Sequence, residues 1–423
     1  MSRNIAIYNM LSFIYLTPKT TFLCIEFKGN SSVVNPNIST CYDDCLKYSY
    51  RSDLKETLIS EFDLICQRYW MANFGQTINM FGILTGVFVF GWISDRFGRR
   101  TALILSMSIN VILMIGVSFS PNYWVFITLK CFIGIASSGP LIISLPYVLE
   151  VADAEHREVA GVCALLPDSF AMIVMTAIAY FSVTWRQYLL VKGIICIIYL
   201  IPLFFIPETP RWLRLKRKMQ KTSPLLIKSR KNTNEDLSIN NNETLTFNIV
   251  RKTTYLDLFR TKKMTVKILA NTSIWAIFGS TYFGVNQYST YLGFNVYLVI
   301  IIISLSQVPT TVLAMFLGKR YGRKKIIVSN FLATGLVMGA LIFLPVGHWA
   351  SIACCITGLN TLGILGCIIY IHVAELFPTS VRSMAYGVCG AGAKIGAMVA
   401  PFIATLNPEW LSAVAFVFLV LIG

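Results

Sequence analysis

The chain has 423 residues, 55% of them apolar and only 13% charged, with a mean hydropathy of +0.65. Soluble globular domains are usually about a quarter charged, so the composition excludes an ordinary water-soluble enzyme or binding domain. The formal charge of +16 could suggest nucleic-acid binding, but most of the basic residues lie in a few loops, and no nucleic-acid partner is expected.

In chain order, residues 1–69 form a first unit. Ile5–Phe27 is moderately apolar, carries Pro18 and Lys19, and is expected to be the tail of a first span whose beginning is absent. A polar segment follows, with Cys24, Cys41, Cys45 and Cys66 and the sequons Asn30-Ser31-Ser32 and Asn37-Ile38-Ser39. Residues 70–207 form an N-terminal half, with spans starting near Trp70, Thr101, Trp124, Val159 and Gln187. The segment 208–265 is basic, rich in Asn and Ser and without strong periodicity, and reads as largely flexible. Residues 266–423 hold spans starting near Val266, Asn295, Ile326, His348 and Ser383, and an apolar run from Trp410 that stops at Gly423, too early to cross. Each full span runs about 18 to 25 residues with almost no charge, enough for a bilayer core of roughly 30 Å at 1.5 Å per residue. Tyr297–Phe316, for example, contains no charged side chain. The expectation is an all-α integral membrane protein with ten full spans and two partial ones.

Arg96, Arg99 and Arg100 fill one short loop, and Lys319, Arg320, Arg323, Lys324 and Lys325 another, while most other basic residues lie between Arg211 and Lys267. These loops alternate with loops poor in Lys and Arg, which places the basic ones in the cytoplasm and the Cys-rich segment outside. Four cysteines in an oxidising compartment read as two disulfides, with three pairings open, and Asn30 and Asn37 as glycosylation sites. A metal site is the weaker reading, since Cys41 and Cys45 have no matching His pair. The seven remaining cysteines lie in spans and read as packing residues.

The chain repeats itself. Gly98-Arg99 recurs 224 positions on as Gly322-Arg323, as do Gly134 and Gly139 in Gly358 and Gly363, and Glu150 and Arg157 recur 225 positions on in Glu375 and Arg382. Three ordered pairs of coincidences, each at the same place relative to its span, mean two homologous halves. Parallel six-helix halves related by an axis along the membrane normal are a transporter plan, with the substrate site between them near the midplane.

The densest motif is Gly91-Trp92-Ile93-Ser94-Asp95-Arg96-Phe97-Gly98-Arg99-Arg100, after the Trp70 span. Its glycines allow a tight turn, and Asp95 can sit at a helix N-terminus or pair with an Arg. These residues resemble the Gly-x-x-x-Asp-Arg-x-Gly-Arg-Arg signature of the major facilitator superfamily. Glu61–Cys66, Pro207–Leu213 and Ala374–Arg382 further resemble motifs of its organic cation/anion transporter family, and together cover the chain from about Cys24 to its end. The resemblance implies a major facilitator fold whose halves rock around a central site. It also implies a cytoplasmic gate of loop charges: Asp95, Arg96, Arg99, Arg100, Glu150, Arg157, Arg323, Glu375 and Arg382. Three departures stand out. Lys319 takes the place of Asp95 in the second half, the first helix looks shortened, and the family's second Pro-Glu-Thr would fall near position 432, beyond Gly423.

Ionisable groups inside a membrane are costly and default to functional hypotheses. Lys130 and Lys192 lie nearer span ends and read as snorkelling. Asp168 lies near mid-depth and reads either as a coupling or substrate group, or as the structural partner of a hydroxyl or Lys. Lys394, about eleven residues into its span, is the better substrate candidate; the resemblance associates a basic residue there with anion carriers and an acidic one with cation carriers. Trp275, Phe278, Tyr282 and Phe283 share one helical face and could form an aromatic wall for amphipathic solutes, or an ordinary packing stripe. The Gly82/Gly86, Gly335/Gly339 and Gly392/Gly396 pairs read as close-packing sites.

There is no Gly-x-x-x-x-Gly-Lys-Ser/Thr loop, and the three histidines, His156, His348 and His372, are scattered, so neither an enzyme nor a cofactor is expected. The sequence therefore points to a multi-pass plasma-membrane carrier of small organic ions working by alternating access, anions or zwitterions favoured. The alternatives are an organic cation or carnitine-like carrier, and a non-transporting homologue acting as a binding or regulatory protein.

Overall fold

The computed structural model describes residues 2–18, 20–27, 39–51, 56–152, 157–210, 212–213, 258–345, 347–377 and 381–405. The sequon asparagines Asn30 and Asn37, most of the 208–265 segment and the run from Trp410 lie outside the described residues.

Long apolar stretches punctuated by Gly, Pro and Asn fold as helices, because in a bilayer each backbone N–H and C=O must be satisfied within its own segment. Two short helices, α1 (Ser2–Leu11) and α2 (Phe13–Leu16), are buried among five long ones: α4 (Tyr69–Phe97), α5 (Arg99–Val117), α6 (Tyr123–Val151), α7 (Arg157–Phe181) and α8 (Trp185–Leu200). The second half holds α9 (Lys262–Tyr288), α10 (Val296–Arg320), α11 (Arg323–Leu341), α12 (Trp349–Leu376) and α13 (Arg382–Ala404). Among the described residues eight helices are long and apolar enough to cross a membrane. The spans expected near Val159 and Val266 are present as α7 and α9. The Leu166–Phe181 part of α7 is apolar, while Lys267, Asn271, Thr272, Ser280 and Thr281 make α9 more polar.

One expectation is corrected. Ile5–Phe27 is not a continuous span tail. Its helical part ends at Leu16, and Thr21–Phe27 is strand β1, antiparallel to β2 (Cys45–Arg51). Pro18 disfavours helix in the residue before it, and Thr21-Phe22-Leu23-Cys24-Ile25 is rich in β-branched and aromatic residues. The described chain is thus all-α except for this two-stranded sheet.

Cys24 is bonded to Cys45 across the sheet, and Cys41 to Cys66 just before α4. Among the described residues, the segment around the sheet is tied to the first half through Glu61 and Arg186. The short helix α3 (Leu58–Glu61) ends in Glu61, whose carboxylate accepts from Arg186 Nη2 at 2.5 Å and from Trp185 Nε1 at 2.5 Å. Arg186 also donates to the Ser118 and Ser120 carbonyls, each at 2.8 Å. Tyr50 donates to Asp63 at 2.6 Å, and burial together with this carboxylate pushes the Tyr50 hydroxyl pKa up. An open cleft of about 510 Å³ lined by Tyr50, Glu56, Ser60, Glu61 and Arg186 lies beside these contacts, remote from the interface between the halves. Cys41→Ser should release the 25-residue loop closed by the second disulfide, at a cost of about 3 kcal/mol or more. The expected result is a several-fold fall in mature surface protein; peptide mapping that finds Cys41 and Cys66 free in wild-type surface protein would contradict the pairing.

In each half, glycines allow one pair of helices to pack backbone to backbone. A Cβ on Gly82 or Gly86 would collide with the carbonyl of Cys131 or Ile135 on α6, so α4 and α6 pack backbone to backbone. In the second half a Cβ on Gly279 would meet the Ala393 carbonyl, and one on Gly396 the Ala276 carbonyl, locking α9 to α13 in the same way. The halves meet along α4–α13 and α7–α10. Most named contacts between them lie toward the side carrying the sheet. Asn73 donates to Thr405 at 2.8 Å and Thr77 to the Met398 carbonyl at 2.8 Å, and the Tyr69 and Tyr291 hydroxyls are 3.2 Å apart. Tyr297 stacks on Tyr15 at 6.0 Å and meets Tyr180 edge-on at 5.5 Å. Among the described residues no ion pair joins the halves at the opposite, basic-loop side.

The snorkelling expected of Lys130 and Lys192 is also corrected: their exposures are 1% and 0%. Lys130 Nζ donates to Ser12 Oγ at 3.4 Å and lies 5.2 Å from the Phe13 ring, while Lys192 Nζ donates to the Tyr8 carbonyl at 3.3 Å and lies 5.3 Å from the Tyr188 ring. Distance from a span end says nothing about which face a side chain occupies. Both lysines face α1 and α2 inside the bundle, where π faces and oxygens, not headgroups, receive the ammonium.

Candidate functional site

The site between the halves begins on α1. Arg3 and Met10 are seven residues apart, hence on one face two turns from each other. Arg3 Nε donates to both Asp168 oxygens on α7, at 2.8 and 3.1 Å, with side-chain exposures of 12% and 23%. Tyr370 on α12 lies close to both Arg3 and Asp168. Asp168 is thus an ion-pair partner, of Arg3 and not of a hydroxyl or Lys. Arg3 escaped the sequence reading because it precedes the apolar run taken to start at Ile5; the rule applied to Asp168 and Lys394 would have found it had the run been opened three residues earlier.

Two turns along α1, Lys394 on α13 points its ammonium at Met10 Sδ, 3.7 Å away, and at the Phe283 ring, 5.6 Å from the centroid. Among the described residues no carboxylate pairs with Lys394. The small residues Gly392, Ala393 and Gly396 press α13 against α9 and hold the lysine at this depth.

The aromatic stripe of α9 divides. Trp275 is buried and meets Tyr370 edge-on at 4.5 Å, a packing contact within the second half. Phe278 stacks on Tyr282 at 5.8 Å, and Tyr282 meets Phe283 at 5.6 Å. These three rings run from the neighbourhood of Asp168 to Lys394.

At the basic-loop side the charged residues brace each half separately. Arg99 pairs with Asp95 at 3.2 Å and Glu150 at 3.6 Å, and Arg96 stacks over Trp92 at 5.2 Å. Arg323 pairs with Glu375 at 2.7 Å. The side chains of Arg157, Lys319 and Arg382 lie outside the described residues. Glu208, read from sequence only as part of a motif, caps α5: its carboxylate accepts from the backbone N–H of Arg99 at 2.8 Å and of Arg100 at 3.1 Å. Gly98 has φ +108°, and a Cβ there would lie 2.5 Å from that carboxylate, so the turn requires glycine. Arg100 donates to the Phe204 carbonyl at 2.6 Å, completing the tie between the α4–α5 turn and the end of α8. Among the described residues no cluster of His, Cys, Asp and Glu could hold a metal.

The model of the Major Facilitator Superfamily matches residues 69–401. The chain is 29% identical over 371 residues to solute carrier family 22 member 7 of Rattus norvegicus, covering 85% of this chain and 69% of the relative. It is 28% identical over 370 residues to solute carrier family 22 member 3 of Mus musculus, covering 86% and 66%, and 25% identical over 389 residues to the organic cation transporter protein of Drosophila melanogaster, covering 89% and 71%. Among solved structures it is similar to the inward open xylose transporter XylE of E. coli, with a TM-score of 0.64 at 18% identity over 84% of this chain and 86% of that one. With two parallel helical halves, the Gly91–Arg100 turn braced by Glu150 and Glu208, and a family model that spans nearly all its long helices, this multi-pass membrane chain belongs to the Major Facilitator Superfamily.

Proposed function

We propose that the chain carries small organic anions, or zwitterions through their carboxylate, across the plasma membrane by alternating access. The sheet side faces outward and the basic loops face the cytoplasm, in line with their charge. The observation that carries the anion reading is Lys394, an ammonium between the halves with an aromatic ring on one side and no carboxylate partner among the described residues. A buried cation without a counter-ion favours an anionic occupant. Asp168 does not supply that counter-charge, because Arg3 engages it. Phe278, Tyr282 and Phe283 suit an aromatic or amphipathic body. The test is uptake of a matched set of aromatic anions, cations and zwitterions into cells expressing the protein. Preferential anion or zwitterion uptake supports the reading; preferential cation uptake, in keeping with the name of the Drosophila relative, overturns it.

The loop charges serve as a gate by stabilising one conformation. Asp95 is 74% exposed and, among the described residues, its ion pair is with Arg99 on the next helix, so the pair itself adds no more than about 1 kcal/mol to stability. Asp95→Asn should leave surface delivery intact and lower uptake roughly fivefold, the equivalent of about 1 kcal/mol in the balance between gate states. Normal uptake at matched surface expression would remove Asp95 from the gate.

A further inference from the structure

Between the halves two cations meet one face of α1, Arg3 from α1 itself and Lys394 from α13 against Met10, and Asp168 is the carboxylate that engages the first of them. The seven residues from Arg3 to Met10 set the two positions about 10 Å apart along the helix axis. Phe283 lies at the Lys394 end, Tyr282 near Asp168, and Phe278 stacks on Tyr282, so rings border the interval. Tyr370 adds a hydroxyl at the Arg3 end.

We propose that Arg3 marks a second anion subsite which Asp168 fills from within, so that the protein selects aromatic monoanions and rejects dianions whose charges are about 10 Å apart. This rests on the anion reading of Lys394. A carboxylate on Arg3 Nε at 2.8 and 3.1 Å occupies the edge that an incoming carboxylate or sulfonate would take. A second substrate anion reaching that end meets Asp168 as a like charge at close range, while the first is still welcome at Lys394. Discrimination then comes from a repulsive element, the internal carboxylate, and not from the absence of a cation. The arrangement also explains how Arg3 is tolerated at this depth: without Asp168 it would be an unpaired guanidinium among apolar helices.

The test uses a rigid aromatic monosulfonate and a disulfonate with the second group about 10 Å from the first, the spacing set by the helix rise. Sulfonates keep their charge at any relevant pH. Uptake of each is measured in the wild type, Lys394→Ala, Asp168→Asn and the double variant Arg3→Gln/Asp168→Asn, at matched surface expression. The wild type is expected to take the disulfonate at about a tenth of the monosulfonate rate or less, Asp168→Asn to raise that ratio about tenfold, and the double variant to return it to the wild-type value. A wild type that takes both probes equally well overturns the proposal without recourse to any variant. If monosulfonate uptake depends on Lys394 but the ratio is unmoved by Asp168→Asn, the subsite is wrong and the anion reading stands. If monosulfonate uptake is absent or indifferent to Lys394→Ala, the anion reading itself fails.

Discussion

Replacing Lys394 with Ala is expected to lower uptake efficiency for aromatic anions by about ten- to a hundredfold at equal surface expression, and Lys394→Asp to abolish it and favour cations. A hydrogen bond to a charged partner contributes about 1.5–3 kcal/mol net, and each 1.4 kcal/mol is tenfold. Lys394 has Met10 Sδ and the Phe283 ring as its neighbours, so the ammonium's strongest available interaction is with a substrate. Removing the charge deletes that attraction and relieves the cost of an unpaired cation, so Lys394→Ala protein should fold at least as well as wild type. This separates a binding role from a structural one: a structural lysine would lose surface protein first and show no change in substrate preference. Unchanged anion uptake in both variants would show that Lys394 does not contact the substrate.

The largest effect on folding is expected at Gly396. A Cβ there would strike the Ala276 carbonyl, with the Ala276 carbonyl carbon at 2.8 Å and the Ser280 N at 2.9 Å, all backbone atoms of α9. No side chain can move aside, so Gly396→Ala must separate α9 from α13. Overpacking of this kind typically costs about 1–3 kcal/mol, and more where the backbone is the obstacle. Gly390, on the same helix, has nothing within 4 Å of its added Cβ. Gly390→Ala therefore controls for helix propensity and should be neutral or slightly stabilising. Thermal unfolding of the two detergent-purified variants checks the pair: a clear loss for Gly396→Ala with none for Gly390→Ala is expected, and equal behaviour would mean that the α9–α13 crossing is not the tight contact described.

How much of this was legible in the sequence depends on the scale of the signal. Ten long helices follow from apolar length, a property summed over about 20 residues and insensitive to detail. The two halves follow from repeats such as Gly98-Arg99 and Gly322-Arg323, and the structure places each pair at a turn between helices. Glycine pairs announced close packing, and at Gly82/Gly86 and Gly392/Gly396 the neighbouring backbone shows what each one touches. What hydropathy could not give was rotation about the helix axis. Lys130 and Lys192 sit at depths compatible with snorkelling, yet face inward onto Phe13 and Tyr188. Partner identity was equally hidden, since Asp168 could be matched to several groups by depth, and only the placement of α1 brings Arg3 to it. The β1 strand was missed because seven moderately apolar residues beside a short span look like its continuation until Cys24 is seen bonded to Cys45 of a second strand.

The central claim, that this chain moves organic anions and does not merely bind them, is tested most directly by counterflow. Proteoliposomes containing the purified chain are loaded with an unlabelled aromatic monosulfonate and diluted into a trace of the labelled compound outside. An alternating-access carrier exchanges one for the other through the site between its halves, so labelled compound should accumulate transiently above its equilibrium level, and the overshoot should be lost in Lys394→Asp. Saturable binding of the labelled compound with no overshoot, in wild-type protein shown to be folded by its melting transition, would contradict the account.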